Sequence, residues 1–152
     1  MTNQTAKAFG YPHSLIHEYE HWLVLLRENQ ITLGSVILCA KSDAKEFSSL
    51  SKSAFTEMSI VTADIERVLG KFVKYEKINY LMLMMVDPNV HFHVVPRYSG
   101  SRIFRDLNIT DHGWPASPDL GKALNLNPQE SDELCRHIRS LWINTIKLKN
   151  ED

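Results

Sequence analysis

Apolar and polar positions along the chain predict short strands around one long central helix. Residues 22–26 and 35–40 are apolar runs separated by a polar segment, a pattern typical of a β-hairpin. Between residues 55 and 72, apolar side chains recur at steps of three, four and one, which predicts a single amphipathic helix. Ser51 or Ser53 could serve as its N-cap. The apolar stripe consists of Phe55, Met58, Val61, Ile65, Val68, Leu69 and Phe72.

The segments on either side of this core pattern predict a helix and another strand. Residues 12–20 are compatible with a short helix. Residues 78–86 are almost continuously apolar, as expected for a strand buried on both faces. Asp87, Pro88 and Asn89 then form a compact turn, and so short a link favours antiparallel pairing with the strand that follows.

The last third of the chain changes character. Residues 99–127 are rich in Gly, Pro, Asp and Asn, which predicts a long irregular segment of the kind that is usually functional or mobile. Asn127 and Pro128 then resemble the start of a helix, and the apolar spacing predicts a C-terminal amphipathic helix over about 128–148. Strands with short links and added helices indicate one α+β domain, over 1–152, around an antiparallel sheet.

The strand after the turn carries the chemistry. From residue 90 apolar residues alternate with histidines, the period of a half-buried strand. Asn89, His91 and His93 are therefore expected on one face, roughly 6–7 Å apart, with the apolar residues between them facing the core. Two imidazoles and a carboxamide on one rigid strand predict a functional site rather than a core, although a half-exposed polar face is the simpler alternative.

Residues 91–97, His-Phe-His-Val-Val-Pro-Arg, resemble the signature strand of the histidine triad (HIT) superfamily of nucleotide hydrolases and transferases. That signature has three histidines alternating with apolar residues, and here Asn89 stands in the place of the first. The order of two strands, a long helix and two strands over about 22–98 is also similar to that family. The resemblance implies an antiparallel sheet of about five strands, a long helix and a homodimer.

The resemblance also implies a reaction at the α-phosphate of a nucleotide derivative, such as a dinucleoside polyphosphate or a nucleoside phosphoramidate. His91 matches the nucleophile, and a neutral imidazole is a competent nucleophile near pH 7. His93 matches the histidine that contacts the phosphate and helps to protonate the departing group. Asn89 is expected to orient the phosphate or the nucleophilic ring. No metal is required for the covalent step, and a divalent cation could accompany a polyphosphate substrate.

Two departures from the family pattern leave a second function open. Asn89 cannot exchange a proton near neutral pH as histidine can. Residues 84–88, Met-Met-Val-Asp-Pro, stand where family members more often carry a small polar loop. Phosphate contacts are then expected from Arg97, His112 or backbone amides, and Trp114 is a candidate for stacking on the base or for a dimer contact. The alternative is a nucleotide-binding or regulatory protein with little turnover.

Histidines elsewhere suggest a metal site as a weaker alternative. Residues 17–21 match H-E-x-x-H, a zinc-binding pattern that requires a sustained helix. A strand-like run follows at once, and His13 extends the row to a solvated helix face as readily as to a metal site. Another possible ligand set combines His91 and His93 with Asp111 or His112.

Composition restricts the class of protein. The chain has 152 residues and a formal net charge of −1, so nothing indicates an electrostatic nucleic-acid binder. The N-terminus lacks a charged-then-apolar signal and no apolar run approaches a membrane span. Cys39 and Cys135 are expected to be free thiols in a reducing compartment. These features predict a cytoplasmic protein with a small-molecule nucleotide as partner, and neither nucleic acid nor membrane.

Overall fold

The fold consists of three α-helices, two short 3-10 helices and nine strands within residues 2–151, the part of the chain that the computed structural model describes. The α-helices are α1 (Gln4–Ala8), α2 (Lys52–Val73) and α3 (Pro128–Glu151). The strands are β1 (Leu15–Glu18), β2 (Trp22–Leu26), β3 (Asn29–Gln30), β4 (Val36–Ala40), β5 (Lys77–Leu81), β6 (His91–Arg97), β7 (Ser101–Phe104), β8 (Leu107–Thr110) and β9 (Leu124–Asn125).

The central sheet has five antiparallel strands in the order β1-β2-β4-β6-β5. Strands β2 and β4 are apolar and buried along their whole length, so they form the hairpin that their two apolar runs predicted. Strands β3 with β9 and β7 with β8 form two smaller two-stranded sheets. The predicted α+β class with an antiparallel five-stranded sheet is confirmed.

Successive strand residues point to opposite faces of the sheet, and each face packs against a different part of the chain. Trp22, Val24 and Leu26 pack in the main core beneath α2 and α3. Leu23 and Leu25 face the other way and pack in a smaller cluster with Ala6, Ile37 and Cys39, which Phe9 also contacts. The N-terminal segment, residues 2–14, therefore covers the second face of the sheet.

Both long helices begin where their N-cap residues predict. Ser51 Oγ accepts a hydrogen bond from the Ala54 amide at 3.1 Å, which caps α2. At α3, Asn127 Oδ1 accepts from the Glu130 amide at 2.8 Å, and Glu130 Oε1 accepts from the Asn127 amide at 2.9 Å. This reciprocal pair is a capping box. The predicted stripe of α2 lies against the core, except that Phe55 at its start is exposed.

A buried polar network joins β1 to the two long helices. Tyr19, just after β1, donates a hydrogen bond to the buried carboxylate of Asp64 at 2.8 Å. The Tyr19 hydroxyl in turn accepts one from Trp142 Nε1 at 2.7 Å. Lys149 reaches the other oxygen of Asp64 at 3.2 Å. The network satisfies a carboxylate that would otherwise be costly to bury.

Three predicted segments were wrong. Residues 12–20 form no helix: after turns they enter strand β1, because Ile16 packs into the core through a strand pairing with β2. The strand predicted over 78–86 ends at Leu81, and as the edge strand of the sheet it is only partly buried. Residues 99–127 are not irregular throughout, since they contain the β7–β8 hairpin and β9.

Within the described residues, no helix is long and apolar enough to span a bilayer. Cys39 and Cys135 are both buried and form no disulfide, and burial raises the pKa of the Cys39 thiol to about 12. Neither thiol is therefore a reactive thiolate at neutral pH.

Candidate active site

Strand β6 holds the two signature histidines side by side. His91 pairs with Cys39 and His93 with Ile37 across the β4–β6 register, so both rings lie on the sheet face covered by the N-terminal segment. Their ring centroids are 5.2 Å apart. Phe92 and Val94 pack on the opposite side in the main core, and this anchoring fixes the strand and hence the spacing of the two rings.

The imidazole of His91 is held in one tautomer by the backbone. Its Nδ1 lies 2.8 Å from the carbonyl oxygen of Asn89. Because a carbonyl oxygen only accepts hydrogen bonds, Nδ1 carries the proton in the neutral ring. The lone pair therefore lies on Nε2, the arrangement that a nucleophilic imidazole requires.

His93 is held in the opposite tautomer by an arginine. Arg27, directly after β2, donates a hydrogen bond from Nε to His93 Nδ1 at 3.3 Å. A guanidinium only donates, so the proton of the neutral His93 ring lies on Nε2. Burial, helped by the positive charge of Arg27 and the neighbouring His91, lowers the pKa of His93 to about 4. At neutral pH His93 is thus an uncharged hydrogen-bond donor.

Asn89 lies before β6 rather than on it, and its side chain bonds to the protein. Its Oδ1 accepts from the amide and hydroxyl of Thr5, at 3.2 and 3.1 Å. Its Nδ2 donates to the Asp43 carbonyl at 3.1 Å, and its own amide donates to Thr5 Oγ1 at 2.9 Å. Asn89 therefore orients His91 through its backbone carbonyl, while its carboxamide ties the N-terminal segment to the turn before His91.

The N-terminal segment covers the histidines. The Phe9 ring lies 5.5 Å from the His91 ring and 5.7 Å from the His93 ring, centroid to centroid. Asn3 fastens the segment by donating to the carbonyls of Ala40 and Ser42 at 2.7 and 2.8 Å. His91 is consequently 1 % exposed and His93 8 % exposed. Both imidazoles therefore have little surface that is open to a ligand.

The three residues predicted to bind substrate lie away from the histidines. Arg97 is six residues beyond His91 on β6, about 20 Å along the strand. It is 3 % exposed and bonded to the buried Asp111 carboxylate at 2.8 and 3.1 Å. Trp114 and Arg97 line an open groove of about 800 Å³ beside β5, and His112 is exposed on the loop before it. The structure does not bring these three residues together with His91 and His93.

The proposed metal ligands do not converge either. His17 lies on strand β1 and His21 in the bend that follows, so the H-E-x-x-H pattern lacks the helix that would align its histidines. The His17 ring packs against Tyr19 and Trp142. Among residues 2–151, no three His, Cys, Asp or Glu side chains form a cluster that could hold a metal ion.

The site contains two residues, Arg27 and Phe9, that the sequence analysis did not assign. Arg27 was included in a polar turn, yet it follows Leu23 and Leu25 at strand spacing, and the period of two places all three on the histidine face. That period was the available signal for Arg27. Phe9 gave no comparable signal, because its approach to the histidines depends on the path of an N-terminal segment that pairs with no strand.

The site thus consists of a carbonyl-oriented imidazole beside a second, hydrogen-bond-donating imidazole, on the central strands of an antiparallel sheet. Comparison with known families identifies the domain. The profile of the HIT domain matches residues 9–100, more than half of the chain. The protein belongs to the HIT family. Curated protein sequences contain no significant match to the chain.

Solved structures show the same fold at low sequence identity. A histidine triad protein from Marinobacter aquaeolei VT8 superposes with a TM-score of 0.71 at 19% identity, covering 95% of this chain and 96% of that one. One from Sinorhizobium meliloti 1021 has a TM-score of 0.69 at 22% identity, with 92% and 95% covered. The diadenosine triphosphate hydrolase of Plasmodium falciparum has a TM-score of 0.62 at 12% identity, with 88% and 78% covered.

Proposed function

We propose that the protein is a nucleotide hydrolase or nucleotidyl transferase that acts at the α-phosphate of a dinucleoside polyphosphate or nucleoside phosphoramidate. His91 Nε2 attacks the α-phosphorus, and a phosphorus–nitrogen bond forms as the bond to the leaving group breaks. Water or another acceptor then attacks the same phosphorus, the phosphorus–nitrogen bond breaks, and His91 is regenerated. A structural relative that is named a diadenosine triphosphate hydrolase supports this substrate class.

The observation that carries the proposal is the pair of opposite tautomers. The carbonyl of Asn89 leaves the Nε2 lone pair of His91 free for attack. Arg27 leaves a proton on Nε2 of His93, which donates a hydrogen bond to a phosphate oxygen or to the leaving group. Because His93 is uncharged at neutral pH, it acts as a hydrogen-bond donor, and the departing group takes its proton from solvent. No metal enters the covalent step in this scheme, and a divalent cation is brought only by a polyphosphate substrate.

The experiment that tests the proposal is intact-mass spectrometry of reactions quenched with an alkaline denaturant, because a phosphorus–nitrogen bond to histidine is labile in acid. The substrates are adenine and guanine dinucleoside polyphosphates and phosphoramidates. Wild-type protein is expected to gain the mass of one nucleotidyl group, and His91→Ala is expected to gain none. His112→Ala, which alters an exposed histidine on the distant loop, is the matched control and should form the adduct normally. Product formation without an adduct, abolished by chelation, would instead support metal-dependent hydrolysis.

A second function is favoured by the closed state of the site. His91 is 1 % exposed, and the Asn89 carboxamide is committed to holding the N-terminal segment. Both features suit a nucleotide-binding or regulatory protein with little turnover. Nucleotide binding that is measurable by calorimetry, with neither adduct nor product for any substrate in the panel, would select this function.

We also propose that the protein is a homodimer that associates through the free edge of the sheet. β5 is an edge strand of the central sheet, and an unpaired edge is a template for another chain. Met85 and Val86, in the loop beyond it, are 87% and 90% exposed. Replacing both with Asp should yield a monomer by analytical ultracentrifugation, whereas Ile103→Asp, at an exposed position of β7, should not.

The two buried free thiols fit a reducing, cytoplasmic compartment.

A further inference from the structure

Arg27 is a partly buried cation without a carboxylate partner. Its pKa is lowered because the surrounding protein removes water from the guanidinium. None of the ion pairs formed within residues 2–151 includes it. Arg97 makes a useful comparison, since it is also buried but has Asp111 as its counter-ion. A desolvated charge without a partner is unfavourable, so the surroundings of Arg27 favour an anion.

The guanidinium is oriented and still has free donors. Of its five N–H groups, one bonds to His93 Nδ1 at 3.3 Å and one to the Asn29 carbonyl at 2.5 Å. These two bonds hold the planar group in place and leave three N–H groups for a ligand. Guanidinium groups match phosphate oxygens in both geometry and charge.

Two other groups at the site carry no positive charge at neutral pH. His93 is uncharged there, and the Asn89 side chain is neutral and bonded elsewhere. A displacement at phosphorus builds negative charge on the departing oxygen, and fixed cations stabilise such charge. Arg27, which donates a hydrogen bond to the ring proposed to contact the phosphate, is the cation that the fold places beside His93.

From this geometry we infer that Arg27 binds the leaving phosphate of the substrate and, through its bond to Nδ1, positions His93 as a donor. The inference rests on the proposed function and deepens it. It selects substrates whose leaving group is itself a phosphate, over phosphoramidates that release an uncharged amine. The reacting bond is then the phosphoanhydride between the α- and β-phosphates, and Arg27 neutralises the charge that remains on the β-phosphate when this bond breaks.

The test measures anion binding separately from catalysis. Inorganic pyrophosphate, which represents the leaving phosphate, is titrated by calorimetry into wild type, Arg27→Met, Arg27→Lys and Arg67→Met. Removing the guanidinium should weaken binding about 10- to 100-fold, the usual effect of losing hydrogen bonds to a charged group. Arg27→Lys should recover part of this loss because it keeps the charge without the fork. Arg67 is exposed on α2, on the other side of the sheet, so Arg67→Met should change affinity by less than about twofold.

Imidazole nitrogen NMR measures the tautomer and the pKa of His93, which would not change if Arg27 had only a structural role. Wild-type His93 should show an unprotonated Nδ1 and a protonated Nε2, and Arg27→Met should raise the His93 pKa and mix the tautomers. Pyrophosphate affinity that is equal in wild type and Arg27→Met, or absent in wild type, would overturn the inference. If wild type forms the His91 adduct and Arg27→Met binds pyrophosphate as tightly as wild type, only the role of Arg27 is refuted. Arg27-dependent binding without any adduct would refute the catalytic proposal alone.

Discussion

The contact between Asn89 and Thr5 can be removed by a substitution that loosens the N-terminal segment over the histidines and leaves the His91 imidazole oriented as before. Asn89→Ala removes the acceptor of the Thr5 amide and hydroxyl and the donor to the Asp43 carbonyl. It leaves the backbone carbonyl that orients His91 unchanged. The variant should therefore loosen the N-terminal segment without disturbing the tautomer of the nucleophile.

The magnitude follows from the burial of these groups. Thr5 is fully buried, so its amide would lose its partner without gaining water. Its hydroxyl can still accept a hydrogen bond from the residue 89 amide, as it does now. One stranded buried donor costs about 1–3 kcal/mol, and each further lost bond about 1 kcal/mol. We expect the free energy of unfolding of Asn89→Ala to fall by about 3–5 kcal/mol in total, because two further bonds are lost besides that of the stranded amide.

Two assays check this prediction. Urea unfolding measures the loss of stability, with Asn108→Ala, at an exposed position of β8, as the control expected within about 0.5 kcal/mol of wild type. Hydrogen exchange should be faster for amides of α1 than in wild type, while the quenched reaction should still yield the His91 adduct. Unchanged stability and exchange would refute the structural role of the carboxamide. Loss of the adduct in a folded variant would show that the carboxamide takes part in the reaction.

Three further predictions concern stability measured by urea unfolding. The folded-state pKa of His93, about 4, lies below its ordinary value of 6.5, so only the unfolded state gains this proton between these pH values. Stability should thus fall by up to about 3 kcal/mol from pH 7 to pH 4, and less in His93→Asn. Asp111→Asn should cost about 3–5 kcal/mol by leaving Arg97 buried without its counter-ion, and a loss below about 0.5 kcal/mol would contradict the importance of this ion pair. Tyr19→Phe should cost about 2–3 kcal/mol because Asp64 loses a donor in a buried network; a loss below about 0.5 kcal/mol would contradict that account.

The elements that were predicted well are those in which local pattern and tertiary packing agree. The α2 stripe and the histidine strand each have a clear period, and the 22–26 and 35–40 runs are continuously apolar because both faces of these strands are buried, so the local pattern was sufficient. The same argument identified His91 and His93 as neighbours on one face. The capping residue Asn127 located the start of α3, because its side chain bonds only within the first turn.

The failures share a dependence on distant contacts. Residues 12–20 became a strand because a neighbouring strand offered a pairing edge, which local spacing does not report. The apolar run after residue 77 ends as a strand at Leu81, where pairing with β6 stops at His93. The sequence predicts a phosphate contact for Arg97, and only the fold reveals Asp111 beside it. The charges at the site, and above all the pairing of Arg27 with His93, likewise depend on the assembled sheet.

The central claim is that turnover proceeds through His91, and a rapid-quench time course with wild-type protein tests it most directly. With excess substrate, the account predicts that the nucleotidyl-His91 adduct accumulates before the nucleotide that the second step releases, and then reaches a steady level. In a single turnover, the adduct should rise first and decay at the rate at which product appears. An adduct that forms more slowly than the released nucleotide, or that persists after nucleotide release has ended, would contradict a covalent route through this histidine.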